Sequence, residues 1–351
     1  MSENMEDIEP FCISLINQAI GKQASDIHFL MNDSHCSIFY RSGGQLKKWR
    51  ELPLRIGERL VSHLKYRSGM DIGEQRKPQS MSITHKRKSS TYSLRLSTLP
   101  NKQSEGLIIR ILPHRMTHSI ETLSLFPQAS SQLHPLRTFQ SGLCLFAGST
   151  GSGKTTTLYA ILEHIRHSGN KSIITIEDPI EIPLNDIVQV EVNEKAGLTF
   201  DSILRAALRH DPDVILVGEI RDEETAALAV RASLTGHLVL ATVHANDVQT
   251  TFLRLLNLGV KESDLIDCCK MIMVQQLVKL RCPICFHEAE EDERCSCQKP
   301  LRKALVEVIV GEELKLLAKG QFMRRSSFKD QARKAWVLGY ISELELRSFL
   351  T

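Results

Sequence analysis

The feature that most constrains this chain is a glycine-rich turn between a strand pattern and a helix pattern. The apolar run 143–147 predicts a buried strand, and the pattern over 154–166 predicts a helix. The turn between them reads G-x-x-x-x-G-K-T, the phosphate-binding P-loop motif, in which backbone N–H groups approach phosphate oxygens. The predicted nucleotide-binding residues are Gly148, Ser149, Thr150, Gly151, Ser152, Gly153, Lys154, Thr155 and Thr156. Lys154 would reach the β- and γ-phosphates of ATP, and Thr155 would hold Mg²⁺.

Length and composition limit the number of domains and the classes of protein to which the chain can belong. With 351 residues, 42% of them hydrophobic and 24% charged, the chain has room for two globular domains and a small third. No run approaches the 18 apolar residues or so that a transmembrane helix needs. The N-terminus is acidic and lacks the apolar core of a signal peptide, so we expect a cytoplasmic protein. The net charge of +3 is too small to indicate nucleic-acid binding by itself.

Periodicity divides the chain into four parts. Residues 1–113 alternate helix and strand patterns and predict an α+β domain, in which 86–88 forms a hairpin tip. Residues 114–135 are rich in Ser, His and Pro and predict a linker, with room for one short helix. In 136–280 strand and helix patterns alternate, which predicts a doubly wound α/β sheet. Beyond residue 263 the pattern is mostly helical, over 263–280, 300–318, 327–338 and 341–350, so 281–351 is expected to be a helical subdomain with a cysteine loop.

Hydrolysis of a nucleotide also needs a carboxylate at the end of a neighbouring strand. Glu219 follows the apolar run 214–218, and Glu177 and Asp178 end the strand predicted at 172–177. Ligands bind beyond the carboxyl ends of parallel strands, so both groups should face the phosphates. Which of Glu177 and Glu219 positions the water stays open, and a helix cap or a surface acid is the alternative for each.

Two histidines flank the strand predicted at 238–242. A lone histidine is usually structural, but a pair at the two ends of one strand favours a sensor of the γ-phosphate. We expect this role for His244, at the carboxyl end, whereas His237 is equally consistent with a buried hydrogen-bonding residue.

Four motifs in this order resemble those of the type II secretion and type IV pilus assembly ATPases. They are the P-loop at 148–160, the Asp box at 177–181, the Walker B region at 208–226 and the His box at 235–244. The stretches 25–28 and 95–100 are similar to the N-terminal, PAS-like domain of that family. The resemblance covers about residues 20–300 and implies a RecA-like P-loop domain. It places Asp178, Arg221 and His237 with the nucleotide-binding residues.

The resemblance further implies a homo-hexameric ring in which Arg95 and Arg110 reach the nucleotide of a neighbouring subunit. Without it, both would be interpreted as arginines on a strand surface. It also implies a polytopic inner-membrane platform protein as partner, with the motor at the cytoplasmic face of the membrane. The compact N-terminus is most similar to the competence ATPases of Gram-positive bacteria, which power a DNA-uptake pseudopilus.

Proteins with other functions contain the same kind of P-loop domain. A nucleic-acid translocase is one alternative, although no basic stripe with interleaved aromatics supports direct nucleic-acid binding. A nucleotide-switched scaffold and a pilus-retraction motor are two more. The resemblance favours assembly over retraction, because retraction members of the family generally lack a cysteine loop.

A cluster of four cysteines lies late in the chain: Cys282, Cys285, Cys295 and Cys297. Paired cysteines at this spacing predict a structural zinc site, against a redox pair or free thiols. The family often has C-x-x-C in both halves and an arginine where this chain has Gln276. These departures leave the ligand set open, with His287 as a possible substitute.

Overall fold

The computed structural model describes residues 7–42, 45–88, 90–101, 105–113, 119–167, 169, 171–282, 302–321 and 327–350. The chain divides into two compact units, Met1–Arg115 and Met116–Thr351. Their secondary structure follows the sequence pattern closely in the first unit and less closely at the end of the second.

The first unit is a six-stranded antiparallel sheet in the order β3-β2-β1-β6-β5-β4. Its elements are α1 (Ile8–Gly21), β1 (Asp26–Met31), β2 (His35–Ser42), β3 (Gln45–Pro53), α2 (Leu54–Ser68), β4 (Gln79–Arg87), β5 (Ser90–Pro100) and β6 (Glu105–Pro113). Alternate residues such as Ile27, Leu96 and Ile109 are fully buried in one cluster with α1 and α2. The residues between them, Asp26, Arg95 and Arg110 among them, therefore belong to the opposite face.

The hairpin predicted around 86–88 is confirmed. Arg87, the last residue of β4, pairs with Ser90, the first residue of β5, so the basic triplet lies at the tip.

The second unit is a seven-stranded sheet in the order β13-β12-β7-β11-β10-β8-β9. Its strands are β7 (Gly142–Ala147), β8 (Ile173–Glu177), β9 (Val188–Glu191), β10 (Val214–Val217), β11 (Leu238–Val243), β12 (Cys269–Lys279) and β13 (Arg302–Val310). Its helices are α3 (Ile120–Leu123), α4 (Pro127–Ser131), α5 (Lys154–His167), α6 (Phe200–Ala207), α7 (Glu223–Leu234), α8 (Val248–Asn257), α9 (Glu262–Cys268), α10 (Glu312–Ala318), α11 (Phe328–Val337) and α12 (Glu343–Leu350). Neighbouring strands pair in parallel except β12 and β13, which pair antiparallel.

Helices cover both faces of this sheet. The inward residues of α5 share a cluster with Cys144 and Phe146 of β7, whereas those of α7 and α8 share one with Leu143 and Leu145. Because β7 is buried on both faces, its sequence is continuously apolar rather than alternating.

Two helix predictions were wrong. Residues 263–280 and 300–318 begin or end as helix, in α9 and α10, but 269–279 and 302–310 form β12 and β13 at one edge of the sheet. A strand covered on both faces is apolar without alternation, so its pattern does not distinguish it from a buried helix. The C-terminal part is therefore not purely helical, since β13 extends the main sheet.

The predicted linker is also more ordered than expected. Ile120, Leu123 and Leu133 are buried in the cluster around α5, and Ser124 bridges to Ala304 of β13. Residues 119–135 thus belong to the packed second unit.

Candidate active site

The P-loop joins β7 to α5 as the motif predicts. Gly148, Gly151 and Gly153 have φ angles of 148°, 78° and 88°, which favour glycine. A Cβ atom on Gly148 would lie 2.5 Å from the backbone oxygen of Gln275, so a larger residue does not fit there. The turn delivers the chain into the first turn of a 14-residue helix, whose free N–H groups favour an anion.

Lys154 occupies the mouth of this loop. Its Nζ atom donates to the carbonyl oxygens of Gly148 at 2.7 Å and Ser149 at 2.9 Å. Burial lowers the pKa of Lys154, and the negative charge of Glu219 opposes that shift. The ammonium group is thus held where phosphate oxygens could replace two loop carbonyls.

Glu219 lies at the centre of a charged cluster assembled from three strand ends. Its side chain is 15% exposed, and its two oxygens contact Arg221 Nε at 2.6 Å and His244 Nε2 at 3.1 Å. Arg221 Nη1 also lies 3.7 Å from Asp178 Oδ2. The hydrogen bond to Glu219 is the main reason that the pKa of Arg221 is raised. The parallel order of β8, β10 and β11 brings these residues to one edge.

Glu177 has a different environment. It is buried, and it accepts hydrogen bonds from Tyr159 Oη, Thr175 Oγ1 at 2.6 Å and Gln189 Nε2 at 3.1 Å. Burial and the adjacent carboxylate raise the pKa of Tyr159, so the phenol stays protonated as a donor. Both oxygens of Glu177 are therefore occupied by groups of the protein.

These acids share one cleft. A cavity of about 100 Å³ is lined by Thr155, Glu177, Asp178, Glu219 and Arg221, together with Tyr159 and Thr242. The oxygen donors Thr155, Asp178 and Glu219 are the type of ligand that Mg²⁺ prefers.

His237 does not join this cluster. It precedes β11 at the end opposite His244, and its Nδ1 atom lies 3.1 Å from the carbonyl oxygen of Ala232. Within one subunit this placement corresponds to a local hydrogen-bonding role.

Arg95 and Arg110 form part of a polar row across the first unit. They are directly opposite each other on β5 and β6, and Arg110 in turn is opposite Asp26 of β1, which pairs with Arg41 of β2. Arg110 Nε donates to Asp26 Oδ1 at 3.0 Å, and Arg41 Nε lies 3.9 Å from the other oxygen. This arginine row (Arg41, Asp26, Arg110 and Arg95) has three guanidinium groups and one carboxylate.

Of the cysteine cluster, Cys282 alone falls within the described residues, where it is buried. Cys285, Cys295, Cys297 and the alternative ligand His287 lie outside them. Among the described residues no group of three His, Cys, Asp or Glu side chains is arranged to hold a metal.

Sequence reasoning missed Tyr159 and Gln275. Tyr159 lies within the helix predicted over 154–166, where nothing in the pattern distinguished it, and Gln275 lay in a segment that we expected to be helical. The one available signal for Gln275 was its place in the run Gln275–Gln276–Leu277 ahead of the cysteines.

The fold and the site define a P-loop ATPase: a phosphate-binding loop, its lysine, and acids at the adjacent strand ends. In the parts of the chain that the structure describes, no helix combines the length and hydrophobicity needed to cross a bilayer. The family described as type II/IV secretion system protein matches residues 2–335, and the chain belongs to it.

Named relatives agree with this family. The chain is 40% identical over 343 residues to competence protein ComGA of Bacillus subtilis, covering 96% of each chain. It is 42% identical over 336 residues to ComGA of Halalkalibacterium halodurans, covering 95% of this chain and 96% of the other. It is 40% identical to type II secretion system protein E of Klebsiella pneumoniae, over 78% of this chain and 55% of that one.

Among solved structures, the pilus retraction motor PilT with bound ADP superposes with a TM-score of 0.76 at 27% identity, covering 95% of each chain.

Proposed function

We propose that this protein is the motor ATPase that drives assembly of a competence pseudopilus. The observation that carries this is the similarity to ComGA over nearly the full length of both chains, combined with an intact P-loop and acid cluster. ATP is the substrate, and its hydrolysis supplies the mechanical work. A type II secretion motor uses the same machinery on a different filament.

The geometry divides the chemical roles. Lys154 and the loop amides bind the phosphates, and Thr155, Asp178 and Glu219 would hold Mg²⁺ directly or through water. A Mg²⁺ ion held by these residues would supply positive charge to offset that of the phosphates. We assign the orientation of the attacking water to Glu219, because its side chain is 15% exposed at the cleft and its negative charge acts on Lys154, whereas Glu177 is buried and accepts from three protein donors. Glu177 then has a structural role beside the site. His244 acts as the sensor of the γ-phosphate, and its contact with Glu219 links the two residues.

The arginine row supplies the second half of the site from a neighbouring subunit. Guanidinium groups placed side by side on neighbouring strands are the type of group that binds a phosphate through charge-assisted hydrogen bonds. We assign Arg95 and Arg110 as the groups that stabilise charge on the transferred phosphoryl group in a homo-hexamer.

Mixing variants tests this shared site. Subunits with Lys154→Ala and subunits with Arg95→Ala are each expected to lack ATPase activity alone. A mixture should recover activity, because some interfaces pair an intact loop with an intact arginine row. Activity in either variant alone, or no recovery in a mixture whose subunits exchange, would contradict a site formed between subunits.

The proposed partner is a polytopic platform protein of the cytoplasmic membrane, which the motor engages from the cytoplasm. The likeness to PilT makes retraction the second candidate. A deletion in cells distinguishes the two candidate functions. Loss of an assembly motor abolishes surface filaments, whereas loss of a retraction motor leaves them in excess. ATPase activity that nucleic acid stimulates in a salt-dependent manner would indicate a translocase instead.

A structural zinc held by Cys282, Cys285, Cys295 and Cys297 is also proposed. Its support is the spacing of these cysteines and the burial of Cys282 just beyond β12.

A further inference from the structure

Gln275 lies directly beneath the P-loop. It is a residue of β12, and its neighbour Val274 pairs with Ala147, the last residue of β7 before the loop. The side chain is buried, with 5% of the residue exposed. A polar group at such a position normally has a specific partner.

Both polar atoms of the Gln275 amide form hydrogen bonds, one with the P-loop and one with the first turn of α5. Nε2 donates to the carbonyl oxygen of Ser152 at 2.7 Å, and Oε1 accepts from Thr157 Oγ1 at 2.7 Å. The Ser152 carbonyl fixes which end of the amide faces the loop, because it can only accept and a flipped amide would place two carbonyl oxygens together, whereas the Thr157 hydroxyl can donate or accept.

Holding the Ser152 carbonyl sets the direction of the next amide. In a planar trans peptide the C=O and the following N–H point in opposite directions. The Ser152 carbonyl points toward the Gln275 amide, so the N–H of Gly153 points away from that side chain. That is the orientation in which a P-loop amide can donate to a phosphate.

The loop also has no room to adjust on this side. A Cβ atom on Gly153 would lie 2.8 Å from Gln275 Nε2, and one on Gly148 would lie 2.5 Å from the Gln275 backbone oxygen. Gln275 therefore supports the loop near both of its ends.

We propose that Gln275 is a positioning residue for nucleotide binding: it holds the P-loop in its anion-binding conformation without touching the nucleotide. This inference rests on the proposed function, since it takes the loop as the ATP site.

The first test is Gln275→Leu, measured as the dissociation constant of a fluorescent ADP analogue with the full chain. Losing the donor to a loop carbonyl should weaken ADP binding by about tenfold or more. The matched control is Gln276→Leu, the next residue along β12, which is exposed on the other face and should bind ADP like the wild type. Equal affinity of Gln275→Leu and wild type would overturn the proposal.

The second test is Gln275→Glu, which keeps the size of the side chain. An ionised carboxylate accepts from Thr157 but cannot donate to Ser152, so ADP binding should be weak at about pH 8. Burial raises the pKa of such a carboxyl, so lowering the pH to about 6 should protonate it, restore the donor and recover most of the affinity. Gln276→Glu adds the same charge on the exposed face and should show neither effect.

These readouts separate positioning from packing. A purely structural role would lower the thermal stability of the nucleotide-free chain while leaving ADP affinity and its pH dependence unchanged, and that pattern would overturn the proposal. If Gln275→Leu does not fold, the pH-dependent recovery of Gln275→Glu decides the question. Absence of ADP binding by the wild type would contradict the proposed function instead.

Discussion

At the scale of single residues, the two charged groups central to P-loop chemistry lie in opposite electrostatic settings. Lys154 contacts two loop carbonyls, which ATP can replace, whereas Glu219 already contacts two cationic or polar partners, Arg221 and His244. The charged groups of the site are thus held in place by contacts with the protein itself, which reduces the reorganisation needed during the reaction.

Changes at these two residues should have different effects. Lys154→Ala should weaken nucleotide binding and lower ATP hydrolysis by at least about 100-fold, because a cation at the transferring phosphate is lost. Glu219→Gln should lower hydrolysis similarly while retaining nucleotide binding, since the amide keeps the shape of the carboxylate. Phosphate release and binding of a fluorescent ADP analogue measure the two quantities.

Glu224→Gln is the control for the second variant, because Glu224 is an exposed acid on α7 that contacts Arg205 instead of the cleft. Normal turnover by Glu219→Gln would refute the assignment of Glu219.

The contact between Tyr159 and Glu177 predicts a stability effect. Tyr159→Phe removes one donor to a buried carboxylate and should lower the free energy of unfolding by about 1–3 kcal/mol. Urea unfolding measures this change. Tyr66→Phe is a matched control at a 72%-exposed tyrosine and should change stability by less than about 0.5 kcal/mol. A change in the free energy of unfolding for Tyr159→Phe as small as that for Tyr66→Phe would show that the Tyr159 hydroxyl contributes nothing to stability.

At the scale of elements, strand ends bring the catalytic groups together. The chain supplies Lys154, Glu177, Glu219 and His244 from segments up to 90 residues apart, and the parallel pairing of β7, β8, β10 and β11 places them at one edge. The same logic places Gln275 there through β12. A residue of a neighbouring strand can therefore support the loop although it lies far away in sequence.

In the first unit, a buried ion pair links α2 to the start of β6. Lys65 Nζ lies 2.7 Å from Glu105 Oε1 and also donates to the carbonyl oxygen of Glu74 at 2.9 Å. Lys65→Met leaves the carboxylate buried without its cation and should lower the free energy of unfolding by about 3–5 kcal/mol.

The double variant Lys65→Met, Glu105→Leu should recover most of that loss in denaturant unfolding, because no isolated charge remains. A double variant as unstable as the single one would contradict the assignment of the loss to an unpaired charge.

At the scale of the whole molecule, the two units carry different parts of the proposed motor. The second unit holds the loop and the acids, and the first holds the arginine row on a face that α1 and α2 leave uncovered. In the proposed hexamer, nucleotide bound by groups of two subunits would link those subunits until hydrolysis removes the γ-phosphate.

The zinc proposal predicts a metal-dependent stability. The purified chain should contain one zinc ion per subunit by elemental analysis, and chelation should lower its stability by about 3 kcal/mol or more. ATPase activity of the folded, metal-loaded protein should not change on adding further zinc. Cys285→Ser should lose the metal, whereas Cys12→Ser, at a buried cysteine of α1, should retain it. A metal-free wild type would contradict the proposal.

Much of this protein was determined by local sequence. The P-loop required glycines at positive φ, and β7, β10 and β11 followed from continuous apolar runs, so the order of residues along the chain was enough to assign them. The acids at strand ends followed from the rule that parallel strands present their carboxyl ends together. The loop and the strands could be assigned because their patterns involve neighbouring residues, whereas the meeting of the acids follows only once parallel pairing of the strands is assumed.

The tertiary structure decided the rest, because it depends on partners distant in the chain. It made 269–279 and 302–310 strands rather than helices, since a buried apolar run adopts whichever backbone its neighbours can pair with. It engaged Glu177 with Tyr159 while leaving Glu219 in contact with His244. It also set Gln275 under the P-loop, a contact across 123 residues that no local pattern encodes.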